Sequence, residues 1–334
     1  MTNDRNEFGS DFHYPAGVMG QPNGRFGDCA LFDSGRSALG ALVLANPQWK
    51  RVVLPGYYCH EVPEFLERLG IETAYYDYLP NQESAVIPVF DQNDSVVVSV
   101  SFFGLVRPDL SRYKNAAIVE DLTHDLMQAF SSKANYCFGS LRKELPVPSG
   151  GFVFSPARLP LPEAGIGAVA REAAARKFTA MFLKHEYLAA RFDDKPYFRS
   201  LFSQGEEMFA GEKPSAMPEI SRALLLNLDL EALFAQKRRN IASTLEVLGR
   251  GKKFNFGIDG TGFGLTVLCD SSHERDRLRE MLVGHNIFPA VLWPGQKTAE
   301  AQDFSSRVLF VHLDYRMSEI DARHIATLIK GFFT

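Results

Sequence analysis

The chain has 334 residues, 46% of them hydrophobic and 23% charged, and a formal net charge of −4. That length holds one large α/β domain with an appendage, or two domains, and buries roughly three quarters of the surface its unfolded form exposes. The mild acidity argues against a nucleic-acid or anionic-membrane partner, since either favours a basic stripe, and no run approaches the roughly 20 apolar residues that cross a bilayer.

Before any folded element, the opening MTNDRNEFGSDFHYPAG carries no apolar export segment, so a cytoplasmic protein is expected. The four cysteines, Cys29, Cys59, Cys137 and Cys269, have no CxxC spacing and read as scattered thiols of a reducing compartment. The first structured stretch is FDSGRSALGALVL. Ser34, Gly35, Arg36 and Ser37 precede a run of good helix formers, so free N–H groups and two hydroxyls face one small volume. The helix dipole favours an anion there, although plain N-capping by Ser34 or Asp33 uses the same residues.

Short β-rich runs follow at 51–54, 72–77, 95–101, 117–121, 135–138 and 151–154, with a helix over 61–69 closed by Gly70. The run at 95–101 is nearly continuous in β-branched and aromatic residues, which suits a strand covered on both faces. Strand, helix and strand in succession predict right-handed crossovers and a mostly parallel sheet. Asp121 closes the run AAIVED, at the strand end where open α/β sheets present ligand-binding groups; a cap or a solvated acid accounts for it equally. His124 follows, but without H-x-x-x-H spacing or a third ligand no metal is expected.

In NYCFGSLRKELPVPSGGFVF, Lys143 stands just past a strand ending near Ser140 and before Gly150 and Gly151. A solvated loop lysine is the ordinary reading of such a residue. Asp121 and Lys143 nevertheless fall on successive strand ends, downstream of the anion cradle. One chemistry needs these parts together: pyridoxal phosphate takes a phosphate cradle, a carboxylate on its pyridinium nitrogen and a lysine for the Schiff base.

Long helical stretches run from about 162 to 248, and a compact α/β unit follows: strand 264–269, helix 272–283, strands 288–292 and 307–313, then a helix from Ser318 with Asp321 completing a capping box. The expected division is a large unit, 1–228, with a helical extension, and a small one, 229–334. GIDGTGFG leads into a strand and not a helix, which fails the dinucleotide context and leaves a loop. Arg316 is either a surface arginine or a bidentate carboxylate ligand, and Trp293 either a pocket wall or core.

Taken in order, SGRSAL, VEDLTHD, GSLRKELPVPSGG, KRRNIASTL, GHNIFPAVLWP and VLFVHLDYRMSEID resemble the motifs of the DegT/DnrJ sugar-aminotransferase family of fold-type I pyridoxal-phosphate proteins. The resemblance runs over most of the chain. It implies an α/β fold with a large, mostly parallel sheet domain and a small C-terminal α/β domain. It also implies transfer of an amino group from an amino acid such as glutamate to a keto-sugar or related carbonyl, as in polysaccharide biosynthesis. Lys143 would be the Schiff-base lysine and proton carrier, Asp121 the partner of the ring nitrogen, and His124 a contact to the ring or its hydroxyl oxygen. Ser140 would reach the phosphate, with Ser34, Gly35, Arg36 and Ser37 as the cradle. A small-molecule donor and acceptor and a homodimer are implied as well.

The family's stacking aromatic is replaced here by Cys59, so Tyr58 or Tyr57 would reach over the ring, or the stacking face differs. A lysine at 143 disfavours the family's dehydratase branch, which carries histidine. The altered turn and the helical middle motivate an alternative, a catalytically degenerate cofactor-binding protein with a regulatory or assembly role. A Rossmann oxidoreductase is disfavoured because no glycine motif sits between a strand and a helix.

Overall fold

The computed structural model describes residues 5–20, 22–80, 92–105, 114–209, 211, 213–256 and 262–334. Seven strands form the main sheet: β1 (Ala30–Phe32), β2 (Arg51–Pro55), β3 (Glu72–Tyr76), β4 (Ser95–Val100), β5 (Ala117–Asp121), β6 (Tyr136–Ser140) and β7 (Gly151–Phe154), in the order β1-β7-β6-β5-β4-β2-β3. From β3 through β6 the pairing is parallel, and β7 runs antiparallel to both β6 and β1. Every residue of β4 is buried, as its continuous Val-rich run requires of a strand covered on both faces.

Helix α1 (Gly35–Leu44) packs its Ala38, Leu39 and Leu42 into the core beside Val52, Val53 and Val97. Helix α2 (Glu61–Arg68) closes at Leu69, with Gly70 at a φ of 75°. The helical middle divides into α3 (Ala168–Leu188), α4 (Lys195–Met208), α5 (Glu219–Asn227) and α6 (Leu230–Leu248). Asp194 caps α4 by accepting from Tyr197 N at 3.0 Å, and Met181 of α3 packs with Phe198 and Phe202 of α4.

The C-terminal unit contains α7 (Ser272–Gly284), α8 (Ala299–Arg307), α9 (Glu319–Phe333) and a small antiparallel sheet of β8 (Phe254–Asn255), β9 (Gly264–Leu268) and β10 (Val308–His312), ordered β10-β9-β8. The expected strand at 288–292 does not form. Pro289 stands inside it and supplies no N–H, and one antiparallel bridge, Ala290 with Phe310, remains. The expected capping box of Ser318 and Asp321 is present at α9.

The N-terminal segment contacts parts of the chain far from it in sequence. Phe8 bridges Ile287, Tyr14 N donates to Met181 O on α3 at 2.9 Å, and Asp229 N donates to Val18 O at 2.9 Å. Arg316 is neither solvated nor a cavity ligand. Its side chain is 3% exposed, bidentate on Asp314, and donates to Ser10 O at 2.5 Å. Among the described residues no helix is long and apolar enough to cross a membrane.

Candidate active site

The C-terminal ends of the parallel strands open into a cavity of about 180 Å³, where an open α/β sheet places its ligand. Ser34, Gly35, Arg36, Tyr58, Asp121, His124, Ser140 and Lys143 all line it. Ser37 does not. Its hydroxyl accepts from Ser215 N at 3.4 Å.

At one end stands the start of α1. Ser34 Oγ accepts from Ser37 N at 3.2 Å and donates to Asp33 at 3.0 Å, so the hydroxyl does cap the helix. The N–H groups of Gly35 and Arg36 belong to the first turn, which has no acceptor within a helix. Gly35 lies against the end of β6, where a Cβ would stand 3.1 Å from Ser140 N. Ser140 is 8% exposed, and among the described residues its hydroxyl has no hydrogen-bond partner. A buried hydroxyl without a partner is destabilising unless a ligand completes it, and here it lines the cavity beside free N–H groups.

At another point the cavity meets Asp121, 5% exposed at the end of β5. Its Oδ1 accepts from Thr123 N at 2.9 Å and Thr123 Oγ1 at 2.6 Å, and its Oδ2 accepts from the Tyr58 hydroxyl. Burial pushes Asp121 above the ordinary carboxylate range, and these hydrogen bonds oppose the shift. Among the described residues it has no ion-pair partner, so a cationic group in the cavity would supply the missing counter-charge.

Lys143 closes a single tight helical turn, Leu141–Lys143, after β6. It is exposed, lines the cavity, and among the described residues makes no hydrogen bond or ion pair. Its neighbour Arg142 is paired to Glu206 of α4, which also holds Lys177 of α3. Although burial opposes it, the Arg142 and Lys177 cations hold Glu206 far below the usual range. Arg36 pairs with Glu61 at 3.0 Å.

His124 is buried among aromatics, 4.3 Å from the Phe263 ring and 5.1 Å from Phe103, both nearly parallel to it. Its Nδ1 accepts from Phe103 N at 3.3 Å, which leaves the proton on Nε2. Burial, reinforced by the Lys143 charge, pushes it down to about 3, so it presents a neutral ring. Phe103 holds a φ of 55°, a strained region for a bulky residue, and is fixed there by His124 and by Phe263 N donating to its carbonyl at 3.1 Å. Trp293 forms part of the cavity wall.

Sequence reasoning missed Thr123, Phe263 and Glu206. Thr123 has a local signal, two residues past an acid at a strand end. Phe263 lies within the glycine-rich stretch GIDGTGFG, of which 257–261 lie outside the described residues. Glu206 has no local signal, because α4 meets the Lys143 turn only through tertiary packing.

No protein-family model matches the chain, and no curated protein matches it in sequence. Solved structures do match its fold. The pyridoxal-phosphate (PLP) form of Spr1654 from Streptococcus pneumoniae, a candidate sugar aminotransferase, is 13% identical over 96% of this chain and 94% of that one, with a TM-score of 0.62. The sugar aminotransferase CalS13 from Micromonospora echinospora is 17% identical over 95% and 94%, with a TM-score of 0.58. A DegT DnrJ EryC1 StrS aminotransferase from Brucella abortus is 16% identical over 91% and 85%, with a TM-score of 0.57. The chain has the fold that these proteins share, with its large, mostly parallel sheet.

Proposed function

We propose that this chain is a PLP-dependent aminotransferase that moves an amino group from an amino acid such as glutamate to a keto-sugar or related carbonyl compound. The observation that carries this reading is the convergence of three groups on one cavity that, among the described residues, lack partners: an Asp121 carboxylate with no ion pair, an exposed Lys143 amine with no hydrogen bond or ion pair, and a buried Ser140 hydroxyl with no hydrogen bond. A cationic ring nitrogen, a carbonyl carbon and a phosphate would complete them in turn. The shared fold with aminotransferases, one of them solved in a PLP form, supports the same choice.

On this reading Ser140, Ser34 and the N–H groups of Gly35 and Arg36 bind the phosphate, as the positive end of α1 favours. Asp121 faces the ring nitrogen, and the neutral His124 ring contacts the cofactor. When bound, PLP supplies an electron sink for the substrate's α carbon and carries the amino group between substrates. Lys143 Nζ holds the cofactor at rest and, once released, moves the proton from the α carbon. The apolar wall of Phe263, Trp293 and Phe310 excludes water from that transfer. Residues 1–228 form the cofactor-binding unit and 229–334 the small unit of a cytoplasmic homodimer that handles small molecules alone.

Reconstitution with PLP tests the proposal. The wild type should acquire a visible absorbance band that Lys143→Ala abolishes, and glutamate should convert the bound cofactor to its aminated form. A wild type that stays colourless overturns the reading, whereas a coloured protein inert to every amino donor points to the degenerate alternative.

A further inference from the structure

We infer that Tyr58 is a positioning residue for this site: its hydroxyl, donated to Asp121 Oδ2, keeps that group a carboxylate, so that the proton shared with the cofactor stays on the ring nitrogen. The inference rests on the proposed reading of the cavity as a PLP site.

The acceptor count on Asp121 carries the argument. Its two oxygens offer about four lone-pair sites. Thr123 fills Oδ1 with its N–H and its hydroxyl. Tyr58 takes one site on Oδ2, which leaves one more on that same oxygen for an incoming N–H. Tyr58 and the cofactor nitrogen would therefore act on one oxygen atom.

The backbone that carries the phenol is held at both its N–H and its carbonyl. Gln296, 5% exposed, accepts from Tyr58 N through Oε1 at 3.0 Å and donates from Nε2 to Tyr58 O at 3.0 Å. The same Nε2 donates to Trp293 O at 3.0 Å, and Gln302 donates to the Gln296 carbonyl at 2.7 Å. A buried side-chain amide with both ends on the backbone of one residue holds that backbone in place, and with it the origin of the side chain. The hydroxyl therefore engages Asp121 from a rigid base, beside the position where Cys59 replaces the stacking aromatic.

The chemistry gives the contact a purpose. Burial favours the neutral form of a carboxyl group, and a protonated Asp121 would leave the ring nitrogen uncharged and a poorer electron sink. Besides Thr123, which donates twice to Oδ1, the groups facing Asp121 offer little other help. Thr123 and Tyr58 are its hydrogen-bond donors, and burial keeps the Tyr58 hydroxyl protonated. His124 is neutral, Trp293 and Phe263 carry no charge, and Arg36 and Arg142 are held by Glu61 and Glu206. Lys143 is the remaining cation on the wall, and among the described residues no ion pair joins it to the acid. The Tyr58 donor thus adds to the two from Thr123 in favouring the charged form of Asp121, and it is the one that acts on the oxygen still open to an incoming N–H.

The test uses full-length protein loaded with PLP whose ring nitrogen carries a heavy isotope, observed by nitrogen magnetic resonance at neutral pH. In the wild type the resonance should lie in the pyridinium range, and in Tyr58→Phe it should move toward the pyridine range, with the cofactor still bound. An unchanged resonance in loaded Tyr58→Phe overturns the inference and leaves the proposed function standing. A wild type that takes up no cofactor overturns both. If Tyr58→Phe fails to fold or to load, Gln296→Ala decides, since it loosens the clamp and retains the hydroxyl. A shift part of the way toward pyridine supports the role, and no shift overturns it.

Discussion

Gly151 stands so close to Ser34 that a Cβ on the glycine would lie 2.1 Å from the Ser34 carbonyl oxygen. Gly151 pairs with Phe32 of β1 on one side and Ser140 of β6 on the other. The register therefore brings the N-terminus of α1 and the end of β6 together around a residue with no side chain. Gly151→Ala should force backbone and not a flexible side chain to move, at a cost of about 3 kcal/mol, and should weaken PLP binding because the cradle opens. Urea midpoints and a cofactor titration check both; a variant unchanged in each would separate this contact from the cradle.

Ser140 gives a prediction with opposite signs for stability and binding. Its hydroxyl is buried without a partner, so Ser140→Ala removes a desolvated polar group and should leave the cofactor-free protein as stable or slightly more so. The same change deletes a phosphate donor and should weaken PLP binding about tenfold, equivalent to about 1.4 kcal/mol. Loss of stability with unchanged affinity would place the hydroxyl outside the site.

The turn that carries Lys143 is tied to α6 by a buried ion pair. Glu144 and Lys237 have side chains 3% and 9% exposed, and Glu144 also accepts from Leu126 N at 3.2 Å. Glu144→Gln leaves an ammonium buried without its counter-charge and should cost about 3–5 kcal/mol, while Glu144→Gln with Lys237→Met should recover most of it. Denaturant unfolding of the single and double variants measures the difference.

Acid should destabilise this protein partly through buried imidazoles. Burial, aided by the Arg316 and Lys184 cations, pushes His13 down from 6.5 to about 4. Between those values the unfolded chain binds a proton that the native state refuses, so stability falls as pH falls from about 6.5 to about 4. His13 accounts for up to about 3 kcal/mol of that loss, at 1.36 kcal/mol per unit. His13→Phe should lose less stability than the wild type across this window. Parallel curves for the two would mean that His13 is charged in the native state.

Much of this site is legible locally. Asp121 and Lys143 can be placed because a buried strand announces its own end, and the glycines after Lys143 mark a tight turn. Ser34 is readable as a cap because capping is a relation between residues three apart, here Ser34 and Ser37. Ser37 could not be placed the same way, because its partner Ser215 comes from the segment between α4 and α5, 178 residues on. Arg316 was equally closed to local reading, since the Ser10 carbonyl it binds belongs to the other end of the chain. The strand expected at 288–292 was read from apolar composition, but Pro289 within it removes a donor that a strand needs.

The order of residues along the chain by itself determined the alternation that builds the main sheet, the helices with their caps, and the chemical types that stand at the strand ends. Each of these follows from backbone sterics and side-chain polarity over a few neighbouring positions. Only the tertiary structure decided that Tyr58 would bind Asp121, that Gln296 would clamp Tyr58, and that Glu206 would neutralise Arg142. Those contacts join segments 63, 238 and 64 residues apart. They depend on which faces remain to be buried once every element has formed, and no local pattern encodes that.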